Sequence, residues 1–389
     1  MNPEFLLRSL AARPCAEPAD AVKFLYQSEF GCCHLLPDEA ACAQGIRLEL
    51  AQTAADPEAP AFEPIGNGLC RLSLAHPTVR ALPPERIARM MRVTQERVKG
   101  SAERFGESLA LLNRLAAPDT DGARSGSDGC AAPAPKDAPR LPFTAAALEA
   151  YLQTDGRPER LPPRHSPRYR AAYRPAYRVV LRRYGEALPM LCAAEAALNA
   201  YGRTVIVLDG DCASGKTTLA ALLLPLYGCD VIHMDDFFLP FDLRTPERMA
   251  EPGGNVHYER FQAEVLTGLL SGMPFTYGAF DCHTGETRAA TATPGPVTLV
   301  EGSYALHPRF SAAYDALHAV RVLLTVDREE QRERIRRRNG EAMLKRFREE
   351  WIPLEIRYFE AYHSARDGVQ VLPSLSHAED ESPQGSVSL

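Results

Sequence analysis

One stretch constrains this chain more than any other: Gly210-Asp211-Cys212-Ala213-Ser214-Gly215-Lys216-Thr217. It satisfies G-x-x-x-x-G-K-[ST] at every defined position. The pattern has a physical basis. Glycines let consecutive backbone N–H groups wrap an anion with no β-carbon in the way. Lys216 is spaced to reach the β- and γ-phosphates of a nucleotide, and the Thr217 hydroxyl to ligate Mg²⁺. Thr218 continues a helix whose positive end faces the phosphates. The flanks agree: the β-branched run TVIVL (204–208) precedes the loop as a strand, and an apolar helix from Thr217 to Leu226 follows.

The strand–helix rhythm continues after the loop. VIHM (231–234), VTLVEG (297–302) and RVLLTV (321–326) are further buried-strand candidates. Between them, Tyr258 to Leu270 places Phe261, Val265 and Leu269 at helical spacing. Such alternation predicts an α/β fold, a P-loop parallel sheet with helices on both faces. Phosphoryl transfer from such a loop needs a proton acceptor, a carboxylate to help hold Mg²⁺, and cations over the γ-phosphate. Asp235, Asp236 and Glu301 stand at the carboxyl ends of predicted strands, where open α/β sheets bind ligands. Arg328–Arg348 is rich in arginine and suits an arginine-bearing lid, with Asn339-Gly340 as a hinge.

The first half reads as a mostly helical N-terminal domain over 1–116. Ile87, Met90, Met91, Thr94 and Val98 recur at helical spacing, as do Phe105, Leu109 and Leu112. Residues 117–142 are Ala-, Pro-, Gly- and Asp-rich and read as a flexible linker or insertion. A helical, basic connecting segment is expected over 143–190, the P-loop domain over 191–370, and a disordered tail over 371–389. Arg170, Arg174 and Arg178 interleave with Tyr169, Tyr173 and Tyr177. With a net charge of −6, nucleic acid is not expected as a partner, and this stretch reads as a helix or turn docking the first half. Cys32-Cys33-His34 lacks a second ligand pair and reads as thiols rather than a metal site. Cys212, between the loop glycines near a helix N-terminus, is expected to favour the thiolate. No apolar run is long enough to span a bilayer, and no signal peptide is read. With ten scattered cysteines, a cytoplasmic chain with reduced thiols is expected. The oligomeric state stays open.

Residues about 203–365 resemble the uridine kinase/phosphoribulokinase family of P-loop kinases. The blocks that carry the resemblance are GDCASGKTT, HMDDFFLP, PGGNVHYERF, FDCHTGE, LVEGSYAL and the Arg-rich segment, in that order. HMDDFF looks especially like the corresponding block of nicotinamide riboside kinases. The resemblance implies an ATP- and Mg²⁺-dependent transfer to a hydroxyl of a small molecule, a nucleoside- or riboside-type acceptor. It places the catalytic base on Asp235, with Lys216 and the lid arginines Arg334 and Arg338 also catalytic, and the Mg²⁺-associated acid on Glu301. Arg337 is a further lid candidate, and Asp236 a candidate Mg²⁺ contact. For the acceptor it points to Asp235, His257, Phe280, Asp281 and His283. There the chain departs from the family: His257 stands where a sugar-binding Asp is usual, and Gly285 where a base-binding His is. The other class left open is a P-loop ATPase or nucleotide-dependent switch whose N-terminal half binds a macromolecular partner.

Overall fold

The computed structural model describes residues 1–32, 38–116, 140–154, 162–362 and 368–374. The expected linker and tail thus lie largely outside the described residues, as do Cys33 and His34. The chain divides into two compact units, one ending at Gly185 and the next beginning at Glu186.

The first unit is built mainly of helices, among them Pro18–Phe30, Glu39–Gln52, Pro84–Arg97 and Ala102–Ala116. The expected stripes are the buried ones: Ile87, Met90, Met91 and Thr94 on one helix, Phe105 and Leu112 on another. The unit also contains a three-stranded antiparallel sheet that the helical expectation did not include. Its strands β1 (Phe62–Gly66), β2 (Leu69–Ser73) and β3 (Tyr177–Leu181) pair in that order. Asn67 and Gly68 turn β1 into β2 with φ of 50° and 67°, the left-handed geometry that an Asn-Gly pair tolerates. The expected connecting segment is corrected here. Its Arg/Tyr-rich part forms a short helix, Pro167–Tyr173, and then β3, whose Val179 pairs with Arg71 of β2.

The second unit holds a five-stranded sheet. Its strands are β4 (Thr204–Gly210), β5 (Val231–His233), β8 (Val297–Glu301), β9 (Val320–Thr325) and β10 (Val369–Pro373). The spatial order is β10-β9-β4-β8-β5, and every pairing is parallel. β4 is central and all seven of its residues are buried, as a strand covered by helices on both faces must be. Residues 371–373, expected in the tail, instead pair with β9 as the edge strand. A separate hairpin, β6 (Phe275–Phe280) and β7 (Thr287–Ala292), was also not expected. The segment from Tyr258 to Ser271 is continuously helical, widened to a π-helix over Phe261–Leu266, and buries Phe261, Val265 and Leu269. These residues pack with Val205, Val207, Ile232 and Val300 of the sheet in the main core. Among the described residues no helix is long and apolar enough to cross a membrane.

Candidate active site

β4 delivers the Gly-rich loop. At Gly210 φ is 145°, and a β-carbon there would lie 2.1 Å from Leu324 O of neighbouring β9, so only glycine fits. Gly215 also has positive φ, 96°, and Lys216 begins the helix that runs to Tyr227. Lys216 is buried, and its ammonium donates to Gly210 O at 2.8 Å and Asp211 O at 2.9 Å. The Ser214 hydroxyl is buried and has no hydrogen-bond partner among the described residues. An orphaned donor in a loop that leads into a helix N-terminus fits an anion.

β8 and β5 deliver the acids. The Thr217 hydroxyl donates to Glu301 at 3.2 Å, and His233 Nδ1 lies 2.6 Å from Glu301 Oε1. That bond to Glu301 raises the His233 pKa, against the opposing effect of burial. Glu301 is followed by Gly302 at φ 138°, where a β-carbon would come within 2.7 Å of Met234 Cβ; this close approach sets β8 against the turn that bears the aspartates.

Asp235 and Asp236 sit together in the short 3₁₀ turn Met234–Phe237 but differ in surroundings. The Tyr277 hydroxyl of β6 bonds the Asp236 side chain, and Arg288 of β7 acts on it electrostatically. The Asp235 carboxylate has no recorded side-chain hydrogen bond among the described residues. Part of its surface is open to solvent, yet the surrounding protein, and then the Glu301 charge, raise its pKa.

Two further acids belong to the site although the sequence reading did not single them out. Asp209 is fully buried, and burial raises its pKa. It accepts from Gly210 N at 2.6 Å, Tyr304 N and Leu306 N at 2.9 Å, and the Tyr358 hydroxyl at 3.0 Å, which clamps the loops after β4 and β8. Glu355, on the helix Ile352–Ala361, accepts from Cys212 N at 3.0 Å and from Ser303 Oγ at 2.9 Å. It too is buried, with a raised pKa. Asp209 could have been noticed as an acid ending a wholly apolar strand. Glu355 has no local signature, because its partner is 143 residues away.

The expected lid is the helix Arg328–Arg346, and it is broken at Gly340 (φ 80°, ψ 172°), at the predicted hinge. Arg334 reaches the loop: it is buried, and donates to Ala213 O at 3.0 Å and to Ser374. Arg328 pairs with Asp211 at 3.1 Å, and Gln331 donates to Cys212 O at 3.0 Å. Arg338 is exposed and, among the described residues, bonds its neighbour Asn339, so the structure does not bring it to the loop. The thiolate expected at Cys212 is corrected. Burial, and then the Glu355 charge, push this thiol well above its ordinary range, so it stays protonated.

The acceptor candidates are scattered. Phe280 is buried at the end of β6, 6.2 Å from the Phe241 ring. Asp281 and His283 lie on the exposed hairpin turn, where Asp281 accepts from His283 N at 2.8 Å. His257 caps the helix at Tyr258. Cys282 lies near enough to Asp235 to feel its charge and accepts a long contact of 3.9 Å from Arg244.

A curated uridine kinase from Deinococcus deserti is 29% identical to this chain over 113 residues, 26% of the chain and 54% of the relative. Part of the second half of the chain is thus similar to a uridine kinase. The chain spans about half the length of the curated relative it matches. Among solved structures, a possible uridine kinase from Bacillus stearothermophilus is 17% identical, with a TM-score of 0.34, covering 46% of this chain and 97% of its own. YFH7 of Saccharomyces cerevisiae, described as a candidate P-loop kinase with a circular permutation, is 10% identical, with a TM-score of 0.37 and coverages of 49% and 99%. No family model matches. The Gly-rich loop follows β4, Glu301 ends the neighbouring β8, and the two aspartates follow β5 on the far side of β8.

Proposed function

We propose that this chain is an ATP- and Mg²⁺-dependent kinase that phosphorylates a hydroxyl of a small molecule, a nucleoside- or riboside-type alcohol. The observation that carries the reading is Asp235: a carboxylate with no side-chain hydrogen bond among the described residues, near enough to Lys216 and Glu301 for their charges to act on it, with Thr217 bonded to Glu301. Bound MgATP supplies the transferable phosphoryl group. Residues 210–218 would hold its phosphates, with the orphaned Ser214 hydroxyl and the loop N–H groups as donors. Thr217 and Glu301 offer oxygen donors of the kind that Mg²⁺ takes, and Asp236 is a third candidate. Asp235 would take the acceptor's proton. Tyr277 holds Asp236, which leaves Asp235 the freer of the two acids. Arg334 is the lid arginine that stands at the loop; Arg338 would need the lid to move about Gly340. We place the protein in the cytoplasm.

The test is a phosphoryl-transfer screen with MgATP against nucleosides, other ribosides, pantothenate-like alcohols and sugar phosphates. Acceptor-dependent ADP release with phosphorylated product supports the reading. Slow, acceptor-independent hydrolysis would favour the ATPase or switch class. In the same assay, Lys216→Ala should remove about 3 kcal/mol or more of transition-state stabilisation.

A further inference from the structure

The segment after the aspartate turn carries an arginine that the phosphoryl-transfer site does not use. Arg244 follows the short 3₁₀ turn Phe241–Leu243. Its Nε donates to Leu239 O at 2.7 Å, and the guanidinium carbon lies 4.5 Å from the Phe241 ring centre. These contacts fix one edge and one face of a half-buried side chain. The outer N–H groups are less engaged. Among the described residues, Nη2 makes a long contact of 3.9 Å with Cys282 Sγ, and Nη1 has no recorded partner.

Charge separates this arginine from its neighbours. Arg248 pairs with Glu259 at 2.8 Å, and Arg260 with Glu264 at 2.9 Å. No ion pair is recorded for Arg244 or Arg288 among the described residues. The hairpin register sets Arg288 opposite Ala279, on the same face as Tyr277, which bonds Asp236. The Arg288 charge acts on both Asp236 and Tyr277. Arg244 is linked to Asp235 through Cys282. Burial raises the pKa of that thiol most, the Arg244 charge opposes it, and the Asp235 charge adds to it. One thiol therefore feels both the unpaired guanidinium and the candidate base.

On the kinase reading above, we propose that the acceptor carries an oxyanion, a carboxylate or a phosphate, besides its hydroxyl, and that Arg244 holds this group while the hydroxyl lies at Asp235. The remaining guanidinium N–H groups suit two oxygens of such a group in parallel. The charges of Glu301 and Asp236 act on Asp235, and all three acids repel an anion. Arg244 and Arg288, without acid partners of their own, offset that repulsion. Arg244 sets acceptor choice and takes no part in moving the proton.

The test uses the full chain with MgATP and paired acceptors: panthenol and pantothenate, uridine and orotidine, ribose and ribose 5-phosphate. The anionic member of at least one pair should show a kcat/KM at least about tenfold higher than its neutral counterpart. The pair that responds tells carboxylate from phosphate. Arg244→Gln should fold with a similar thermal midpoint. It should lower that preference about tenfold or more, through the KM of the anionic acceptor, and keep the KM for MgATP within about twofold. Arg244→Lys keeps the charge without the fork and should fall between the two. Calorimetric titration of Asp235→Asn with the same anions, in the presence of MgADP, reads binding without transfer. An anion that binds saturably there, about tenfold more weakly once Arg244→Gln is added, supports the oxyanion site even if wild type transfers phosphate to no acceptor; that result would sink the kinase reading alone. The proposal is overturned if transfer occurs without preference for any anionic member, if no anion binds, or if the folded Arg244→Gln variant keeps the preference or instead raises the KM for MgATP about tenfold.

Discussion

Asp235 and Asp236 are adjacent, yet one is tied by Tyr277 and the other is left to solvent and to neighbouring charge. Asp235→Asn should leave MgATP affinity within a few-fold of wild type and lower turnover by about 10²–10⁴, while Asp236→Asn costs much less. Steady-state kinetics on the two variants decides between them, and a reversed order would move the base to Asp236. The raised pKa adds a pH signature. A base works deprotonated, so activity should fall as the pH drops through a value higher than that of an ordinary aspartate, and Asp235→Asn should remove that limb from the pH profile. Cys212 behaves oppositely to a reactive thiol. Peptide mapping after iodoacetamide at neutral pH should find it largely unmodified, because burial and Glu355 disfavour the thiolate. Fast inactivation through Cys212, blocked by nucleotide, would contradict this.

The helix Ile352–Ala361 brings a carboxylate to a loop built to hold anions. Glu355 occupies the Cys212 N–H that a phosphate oxygen would otherwise approach. Glu355→Gln removes a like charge from the loop, so nucleotide affinity measured by titration should rise several-fold; a fall would show that Glu355 supports the bound state instead. Legibility also differs element by element. β4, β8 and β9 were readable because each is a continuous apolar run, as a strand covered on both faces requires. β1 and β2 were not, since Pro64 and Arg71 interrupt any alternation, although Gly66-Asn67-Gly68 was a usable hairpin signal. β7, TRAATA, is too alanine-rich and exposed to announce a strand. The loop, the aspartate pair and Glu301 stood out because each lies in one local block. Asp209, Ser303 and Glu355 meet only through the fold, and no periodicity in the sequence encodes their meeting.

At the scale of the molecule, each unit has its own sheet and helices, and the phosphate loop draws its partners from residues 209–374. A fragment spanning residues 186–376 should therefore fold and bind ATP without the first unit, as equilibrium dialysis or a fluorescent nucleotide would report. Loss of binding in a folded fragment would show that the first unit completes the site. The edge strand β10 carries a different consequence. It is the last described strand in the chain, and it pairs parallel with β9 while Ser374, just beyond it, receives Arg334 from the lid helix. On the ribosome, the first unit can close while the second is still being made. The phosphate loop, its lysine and both aspartates emerge well before β10 does. The sheet gains its outer strand, and Arg334 its serine partner, only after those residues have been made, so a nascent chain carries a phosphate loop before the helix bearing Arg334 is anchored.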